Sequence, residues 1–276
     1  MQNLMFSEKE LYRLANPPAR TQDLTPIETH AGILVKRDDA FAIGGLRGGK
    51  ARTCWHLAQG AKGLVTSGWF GSPQVQIVAH IARYLGIPCR GYVPGNKEMN
   101  GRPIADDPSV PVAEALGMEV IRAASWALGY KTNLTRCAQR YAAESGWKEI
   151  PFGMECDTAV NQTRQQVENL PDAKRIVVPV GSGMSLAGVL WGLRDCNRNV
   201  PVLGVVVGSD PTARIDKYSP HGWQETATLI KSSMPYAQAA SSCTLGSLSL
   251  DPHYEAKCLP FLQPGDLFWV VGLRNP

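Results

Sequence analysis

Apolar and polar positions follow two different rhythms from about residue 60 onward. Short runs of mostly apolar, β-branched residues predict strands, and longer segments with apolar positions every three to four residues predict amphipathic helices. The predicted strands are 63–66, 89–93, 119–123, 149–152, 175–180, 202–207 and 267–271. The predicted helices are 72–85, 112–117, 131–145, 157–169 and 185–197. This alternation is typical of βαβ units around a parallel sheet, so we expect an α/β fold.

Two segments interrupt the alternation. Residues 94–111 are rich in Pro, Gly, Asn and Asp, and residues 209–250 lack a strong apolar period. Loops this long in a compact domain are usually functional or mobile. A division into two domains, with the middle of the chain forming the smaller one, fits this pattern.

The composition is that of a globular protein, because 44% of the 276 residues are hydrophobic and 19% are charged. No apolar run reaches the roughly 18 residues that a membrane span needs. The first 13 residues carry charges where a signal peptide needs an apolar stretch. We therefore expect a cytoplasmic protein without membrane contacts.

Neither the cysteines nor the net charge indicates a special class of protein. The seven cysteines are scattered without a C-x-x-C pair, so we expect free thiols and no metal site. The formal net charge of +4 is too small to indicate nucleic acid by itself. A small anionic ligand would suit that charge equally well.

The first segment with candidate chemistry is a glycine-rich turn, GGLRGGK at 44–50, which opens a helical pattern extending to Gln59. It matches the phosphate-binding pattern G-x-x-x-x-G-K-[ST] except that Ala51 replaces the hydroxyl that holds magnesium. A nucleotide-binding P-loop would therefore lack a metal ligand. We also find no clear second strand ending in the Asp of such proteins.

A second interpretation is that Lys50 forms a Schiff base with a carbonyl compound. Such a lysine needs a pKa lowered by partial burial and by neighbouring positive charge. The start of a helix, with Arg47 and Arg52 nearby, supplies that charge. A plain glycine-rich loop with a solvated lysine is the third interpretation, and this segment alone does not decide among them.

A second candidate segment, residues 176–188, is a buried-type strand followed by a glycine turn and a helix start. Backbone N–H groups from Gly181 to Ser185, with the hydroxyls of Ser182 and Ser185, could bind a phosphate at the positive end of the helix. A dinucleotide-binding turn is a weaker interpretation, because the third glycine falls at Gly188 and breaks the G-x-G-x-x-G spacing. A turn without any ligand is the alternative.

A third candidate segment, residues 66–74, again leads from a strand into a helix, with Ser72 as the expected N-cap and Pro73 at the first helical position. Its amides and hydroxyls could bind a substrate carboxylate, although capping alone would explain both residues. Ligands gather at the carboxyl edge of a parallel sheet. Three anion-suited strand ends therefore favour a common site.

Together these segments resemble the fold-type II pyridoxal 5′-phosphate (PLP) enzymes, the tryptophan-synthase-β-like group. Within that group the chain is similar to the aminocyclopropane-carboxylate (ACC) deaminase and D-cysteine desulfhydrase family. The resembling segments agree in order and spacing over roughly residues 30–272. They are VKRDD at 35–39, GGKAR at 48–52, residues 66–74, residues 178–188 and LDPHYEAK at 250–257.

The resemblance implies two three-layer α/β/α domains with mainly parallel sheets. Residues 1–45 with 153–276 would form the larger, PLP-binding domain and residues 46–152 the smaller one, with the cofactor in the cleft between them. It also implies a homodimer.

The resemblance also assigns roles. Lys50 would hold the cofactor as a Schiff base and act as general base, and Ser72 would be a catalytic acid or base or a carboxylate ligand. The residues implied to bind the cofactor phosphate are Gly181, Ser182, Gly183, Met184 and Ser185. Those implied to bind the substrate are Ser67, Gly68, Gly71, Ser72 and Gln74.

Some positions depart from the family pattern. Residues 72–74 read Ser-Pro-Gln where the family has Ser-Asn-His, and residues 270–273 offer no evident partner for the pyridine nitrogen. Outside the motifs, we expect Asp38 and Asp39 to be loop or capping acids and Lys36 and Arg37 to be a solvated pair. Core packing is the default for Tyr218 and Tyr254, and the family's substrate-stacking tyrosine has no identified counterpart.

Three functional hypotheses follow. The first is a PLP-dependent lyase or deaminase that acts at the α-carbon of a small amino acid. In the second, the same chemistry acts on an amino-acid moiety attached to a larger molecule, such as a modified nucleobase. The third, from another class, is a P-loop-like nucleotide-binding protein or a non-catalytic relic.

Overall fold

The computed structural model describes residues 23–69, 72–95, 98–99, 102–103, 109–123 and 130–272. The helices within this part are α1 (Gly49–Ala58), α2 (Gln74–Leu85), α3 (Ser109–Ala115), α4 (Tyr130–Ser145), α5 (Asp157–Gln165), α6 (Met184–Asp195) and α7 (Thr212–Tyr218). Short 3-10 helices are formed by Asp38–Ala40, Phe152–Met154, Trp223–Glu225 and Glu255–Phe261.

The strands alternate with these helices along most of the chain. They are β1 (Ile27–His30), β2 (Ile33–Arg37), β3 (Ala42–Ile43), β4 (Leu46–Arg47), β5 (Leu64–Ser67), β6 (Cys89–Pro94), β7 (Glu98–Met99), β8 (Arg102–Pro103), β9 (Glu119–Ala123), β10 (Lys148–Ile150), β11 (Arg175–Val180), β12 (Val202–Val206), β13 (Ala227–Lys231), β14 (Thr244–Leu245), β15 (Leu248–Ser249) and β16 (Asp266–Val270).

The described chain forms two compact units. The first comprises Ala42–Leu46 and Thr53–Met154. The second comprises 23–41, Arg47–Arg52 and 155–272. Lys50 and the turn after β11 therefore belong to the same unit.

A six-stranded sheet with the order β1-β2-β16-β11-β12-β13 is the centre of the second unit. Only β1 is antiparallel, and the other five strands run in the same direction. Along β11, Ile176, Val178 and Val180 join one hydrophobic cluster while Val177 joins another. This period of two shows that both faces of the sheet are covered, as expected of a buried parallel sheet.

The first unit contains a four-stranded sheet with the order β10-β5-β6-β9, in which every pair is parallel. Strand β5 is buried along its whole length. Helix α2 ends at Leu85, and Gly86 follows in the left-handed conformation that commonly terminates helices. The prediction of an α/β fold with mainly parallel sheets is confirmed.

Most predicted elements agree with the structure to within a few residues, and strands 119–123 and 175–180 agree at both ends. The prediction of Ser72 as the N-cap of helix 72–85 was wrong by one residue. Helix α2 begins at Gln74 with Pro73 as its N-cap, because the carbonyl of Pro73 accepts the first helical hydrogen bond from Ile77. Within 209–250 the structure adds α7 and β13, which the sequence did not predict.

The expectation that Lys36 and Arg37 form a solvated pair was wrong. Lys36 is fully buried, and its Nζ donates to the carbonyl of Thr25 at 2.8 Å and to Oδ1 of Asn169 at 2.6 Å. Burial lowers the pKa of Lys36 to about 8. Arg37 donates two hydrogen bonds of 2.8 Å to the carboxylate of Asp39. Both cations are therefore structural parts of the second unit.

Helices α5 and α6 are packed closely, and the position of α6 determines where the turn after β11 lies. A Cβ at Gly188 would lie 2.5 Å from Cβ of Thr163, so only glycine allows this approach. We expect Gly188→Ala to lower the free energy of unfolding by about 1–3 kcal/mol through overpacking. Urea denaturation measures this loss. Gly208→Ala is the control, since nothing lies within 4 Å of a Cβ there, and an equal loss in both variants would contradict the packing argument.

Candidate active site

The carboxyl ends of neighbouring parallel strands bring the candidate residues of the second unit to one edge of its sheet. Asp38 follows β2, Val271 follows β16, and Gly181 follows β11. Ligands of open α/β sheets bind at this edge because the loops and helix starts there converge. The sheet order therefore places the start of the helix that carries Lys50 and the glycine turn at the same edge of the sheet.

Lys50 lies in the first turn of α1 and is half-buried. The start of this helix is fixed to the end of β16, because the N–H of Gly49 donates to the carbonyl of Val271 at 2.9 Å. Gly48 has a φ of 104°, and a Cβ there would lie 2.8 Å from Cα of Gly272. Glycine is required at this position, since both the backbone conformation and the close approach exclude a side chain.

The P-loop interpretation of this turn was wrong. The segment before Lys50 is a hairpin of two-residue strands, β3 and β4, and not a buried strand of a parallel sheet. Ala51, at the position where a P-loop has its magnesium-binding hydroxyl, is fully buried. The glycine at position 48 instead allows the backbone to approach Gly272 closely.

A buried ion pair lies directly beneath the start of α1. Nη1 of Arg52 donates to Oδ1 of Asp38 at 2.5 Å, and both residues are 0% exposed. A Cβ at Gly49 would lie 2.8 Å from Oδ2 of Asp38. Asp38 is therefore neither a loop acid nor a cap, as the sequence suggested, but the buried counter-ion that anchors the helix carrying Lys50.

The glycine turn leads from Val180 into α6, with Gly183 at the N-cap. Gly183 has a φ of 93°, and no side chain caps the helix. The N–H groups at the first turn of a helix lack intrahelical partners and carry a partial positive charge. The N–H groups of Met184 and Ser185 are thus suited to bind an anion.

The backbone of Gly181 is held from both sides. Its N–H contacts the hydroxyl of Tyr254, and its carbonyl accepts a hydrogen bond of 3.2 Å from Nη2 of Arg214. A Cβ at Gly181 would lie 2.9 Å from Oη of Tyr254, so the aromatic ring packs directly against the turn. Because Tyr254 packs against Gly181, the donors that lead from the turn into α6 are those from Ser182 to Ser185.

A buried carboxyl group, Glu255, was missed by the sequence analysis. Its Oε1 accepts a hydrogen bond of 3.1 Å from the N–H of Gly272, and the residue is 0% exposed. Its Oε2 has no hydrogen-bond partner within the described residues. Burial, with the nearby charges of Asp251 and Asp39, raises the pKa of Glu255 well above its usual value.

Glu255 connects the two halves of the candidate site. It contacts Gly272, whose neighbour Val271 holds the start of the Lys50 helix, and it follows Tyr254, which packs on Gly181. The signal in the sequence was its place in LDPHYEAK, one of the segments that carry the family resemblance. A buried carboxyl with a free acceptor and a raised pKa is a typical feature of a functional site.

We expect Glu255→Gln to change the pH dependence of stability in the cofactor-free protein. The folded pKa is raised, so the native state keeps a proton that the unfolded chain loses near its ordinary value of 4.5. The wild type then loses about 1.4 kcal/mol of unfolding free energy for each pH unit above that value until Glu255 ionises.

The glutamine variant cannot ionise at this position and lacks that loss. Its stability relative to the wild type should therefore increase as the pH rises above 4.5, for as long as only the unfolded carboxyl is charged. Thermal unfolding at several pH values measures the difference. A constant difference across the range would show that Glu255 is already ionised in the folded protein.

In the first unit, the third candidate segment follows the buried strand β5. The N–H of Gly68 donates to the carbonyl of Tyr92 at 3.0 Å, so this donor is occupied. Ser67 is only 1% exposed, and its hydroxyl has no hydrogen-bond partner among the described residues. Gly71, also predicted to bind substrate, lies outside the described residues.

Ser72 and Gln74 differ in how far their polar side-chain groups are already hydrogen-bonded. Ser72 is half-buried, and its hydroxyl accepts a weak hydrogen bond of 3.4 Å from the N–H of Gln74. The side chain of Gln74 is fully buried, and its Nε2 donates to Oγ1 of Thr66 at 2.9 Å and to the carbonyl of Pro151 at 2.6 Å. Both amide hydrogens of Gln74 are therefore used within the unit.

Among the described residues, no group of three or more His, Cys, Asp or Glu side chains could hold a metal ion. In the same part of the chain, no helix is long and apolar enough to cross a membrane.

Comparisons with solved structures show the fold. The chain is 21% identical to a structure described as an ACC deaminase homologue, with a TM-score of 0.72 and coverage of 97% of this chain and 95% of that one. Threonine deaminase isoform 2 from Solanum lycopersicum is 16% identical, with a TM-score of 0.61 and coverage of 97% and 84%. Diaminopropionate ammonia lyase from Escherichia coli is 15% identical, with a TM-score of 0.60 and coverage of 96% and 87%.

A search of curated protein sequences gives no significant match. The family model described as "Pyridoxal-phosphate dependent enzyme" matches residues 14–244, which is most of the chain. This match and the fold of the solved structures confirm the resemblance to the fold-type II enzymes. The chain therefore belongs to the pyridoxal-phosphate-dependent enzyme family, and its cofactor is PLP.

Proposed function

We propose that the protein is a lyase or deaminase that acts at the α-carbon of an amino acid, through a Schiff base between Lys50 and PLP. The observation that carries this proposal is the arrangement of the second unit. There the half-buried Lys50 and an uncapped helix start after β11 share one sheet edge and are connected through Val271, Glu255 and Tyr254.

The residues of this edge fit the three reactive parts of PLP. Lys50 would hold the aldehyde end of the cofactor through its amine. The N–H groups from Ser182 to Ser185, at the positive end of α6, suit the phosphate. The Oε2 of Glu255 is a buried polar atom without a partner among the described residues, and it suits the ring nitrogen.

When bound, PLP supplies an electron sink for the bonds of the α-carbon. The chain supplies the proton transfers and the orientation. Nζ of Lys50 would serve as general base at the α-carbon. Burial raises the pKa of Glu255 and so favours its protonated form, which could donate a hydrogen bond at Oε2.

Ser72 is the proposed acid, base or carboxylate ligand of the first unit, together with the other substrate-binding residues predicted from the sequence. Fewer donors are available there than the sequence suggested. The N–H of Gly68 and both amide hydrogens of Gln74 are used internally, the N–H of Ser72 donates to the carbonyl of Trp69 at 3.0 Å, and Pro73 has none. Among the residues of this segment that the structure describes, a free substrate carboxylate would thus find mainly the hydroxyls of Ser67 and Ser72.

This shortage supports a second candidate, in which the substrate is an amino-acid moiety attached to a larger molecule such as a modified nucleobase. Recognition would then come from the attached group and would depend less on the carboxylate. The net charge of +4 does not by itself indicate nucleic acid, but it is compatible with an anionic carrier. We further propose a cytoplasmic homodimer.

The visible absorbance of PLP bound to Lys50 tests both candidates. Purified protein reconstituted with PLP should show an absorbance band that free PLP lacks, and free amino acids are then added one at a time. A spectral shift with turnover of one free amino acid supports the first candidate. A stable PLP spectrum with every free amino acid supports the second. A protein that cannot be reconstituted with PLP would refute the proposed Lys50 chemistry.

A further inference from the structure

Arg214 links three parts of the second unit next to the glycine turn. It lies on α7, and its Nη2 donates to the carbonyl of Gly181 at 3.2 Å and to that of Asp210 at 3.3 Å. Its Nη1 donates to Oε1 of Glu155 at 3.2 Å. The side chain is 24% exposed, so the guanidinium lies at the border between the protein interior and solvent.

The hydrogen bond to Gly181 fixes the orientation of one peptide group. The Gly181–Ser182 peptide is trans, as are all peptide bonds of the described chain, so its carbonyl and its N–H point in opposite directions. Arg214 holds the carbonyl on its own side. The N–H of Ser182 must then point away from Arg214.

The packing of α7 against the turn supports the same role. A Cβ at Gly183 would lie 2.8 Å from Cγ1 of Ile215, the residue next to Arg214. Ile215 is fully buried in the hydrophobic cluster that also contains Val180 and Leu186, which flank the turn. Helix α7 therefore contacts the turn at two places, through Arg214 at Gly181 and through Ile215 at Gly183.

Glu155 helps to orient the guanidinium of Arg214. The Glu155 carboxylate accepts from Nη1, and its carbonyl accepts a hydrogen bond of 3.2 Å from the hydroxyl of Tyr218, one helical turn after Arg214. A guanidinium presents its donors in a fixed planar fork, so pairing one side with a carboxylate sets where the other side points. Here the other side points to the carbonyl of Gly181.

We propose that Arg214 is a positioning residue for the cofactor phosphate. It holds the Gly181–Ser182 peptide so that the N–H groups of the turn face the anion, and it does not bind the phosphate itself. The inference rests on the proposed binding of the PLP phosphate by this turn. Its specific consequence is that Arg214 contributes to the affinity for PLP and contributes nothing to the affinity for pyridoxal, which lacks the phosphate.

The test compares the binding of PLP and pyridoxal by absorbance titration. Each ligand is titrated into cofactor-free wild type, Arg214→Met and Arg214→Lys, and the signal from Lys50→Ala is subtracted to remove reaction with other lysines. We expect Arg214→Met to raise the Kd for PLP about tenfold, the cost of losing one charge-assisted hydrogen bond. The Kd for pyridoxal should stay within about twofold. Arg214→Lys should lie between wild type and Arg214→Met, because a lysine can reach one partner but cannot form the planar fork.

Arg198→Met is the matched control. The Arg198 guanidinium also donates to main-chain carbonyls, those of Leu170 and Pro171, and it is 21% exposed. It belongs to a different loop, so its replacement should leave the ratio of the two Kd values unchanged. Pyridoxal binding at wild-type affinity shows, in each variant, that the unit is folded.

Each outcome decides the question. A higher Kd for PLP alone in Arg214→Met supports the inference. Equal losses for both ligands would show that Arg214 is merely structural, and no loss for either would show that the turn keeps its orientation without it; both results overturn the inference. A wild type that binds PLP and pyridoxal equally would instead refute the proposed phosphate site.

Discussion

Lys50→Ala should leave a folded protein that no longer holds PLP covalently and has lost at least about a thousandfold in turnover, the range typical of a removed general base. The loss is expected to be large because one amine performs two tasks, forming the Schiff base and moving the proton at the α-carbon. Absorbance after gel filtration measures the retained cofactor, and turnover is measured with whichever substrate the spectral screen identifies.

Lys62→Ala is the matched control for this experiment. Lys62 is an exposed lysine of the loop between α1 and β5, so its replacement should change neither cofactor retention nor turnover. If Lys50→Ala retained a PLP absorbance band equal to that of the wild type, another lysine would carry the cofactor. The proposed chemistry at Lys50 would then be wrong.

Arg52→Met should destabilise the second unit by about 3–5 kcal/mol, because it leaves the buried carboxylate of Asp38 without its counter-ion. Both partners are 0% exposed, so water cannot solvate the charge that remains. A typical protein has only about 5–15 kcal/mol of stability, so this loss is a large fraction. Urea denaturation followed by circular dichroism measures it.

Two further variants separate the ion pair from simple loss of packing. Arg164→Met removes a pair with Asp195 in which both side chains are more than one third exposed, and it should cost no more than about 1 kcal/mol. The double variant Arg52→Met with Asp38→Leu should recover much of the lost stability, since no uncompensated charge is then buried. A double variant as unstable as the single one would show that the loss comes from packing at the start of α1.

The sequence could predict the parts of the fold that depend on local pattern. Strand β11 is an unbroken apolar run followed by a glycine turn, and both its ends were predicted correctly. The hairpin of β1 and β2 was missed because it contains charged residues that a local pattern assigns to the surface. Lys36 is buried there with two acceptors, the carbonyl of Thr25 and the side chain of Asn169, and the second of these is distant in sequence.

The residues of the candidate site could likewise be predicted only where a local sequence pattern marks them. Lys50 and the turn from Gly181 to Ser185 have local signatures, a glycine-rich helix start and a strand followed by a glycine turn. Glu255 has only its place in LDPHYEAK, because its importance lies in its burial and in an oxygen without a partner among the described residues, and both depend on the tertiary fold. The occupied donors of Gln74 likewise follow from Thr66 and Pro151, and only the second of these is remote in sequence.

The position of β16 has a consequence for biosynthesis. It lies between β2 and β11, although it is the last strand of the sheet to be synthesised. Until Val271 has emerged from the ribosome, the carbonyl that holds the start of α1 is missing and the sheet is split in two. A nascent chain can therefore complete this sheet edge only after β16 has been synthesised, and long-range pairing of this kind folds slowly.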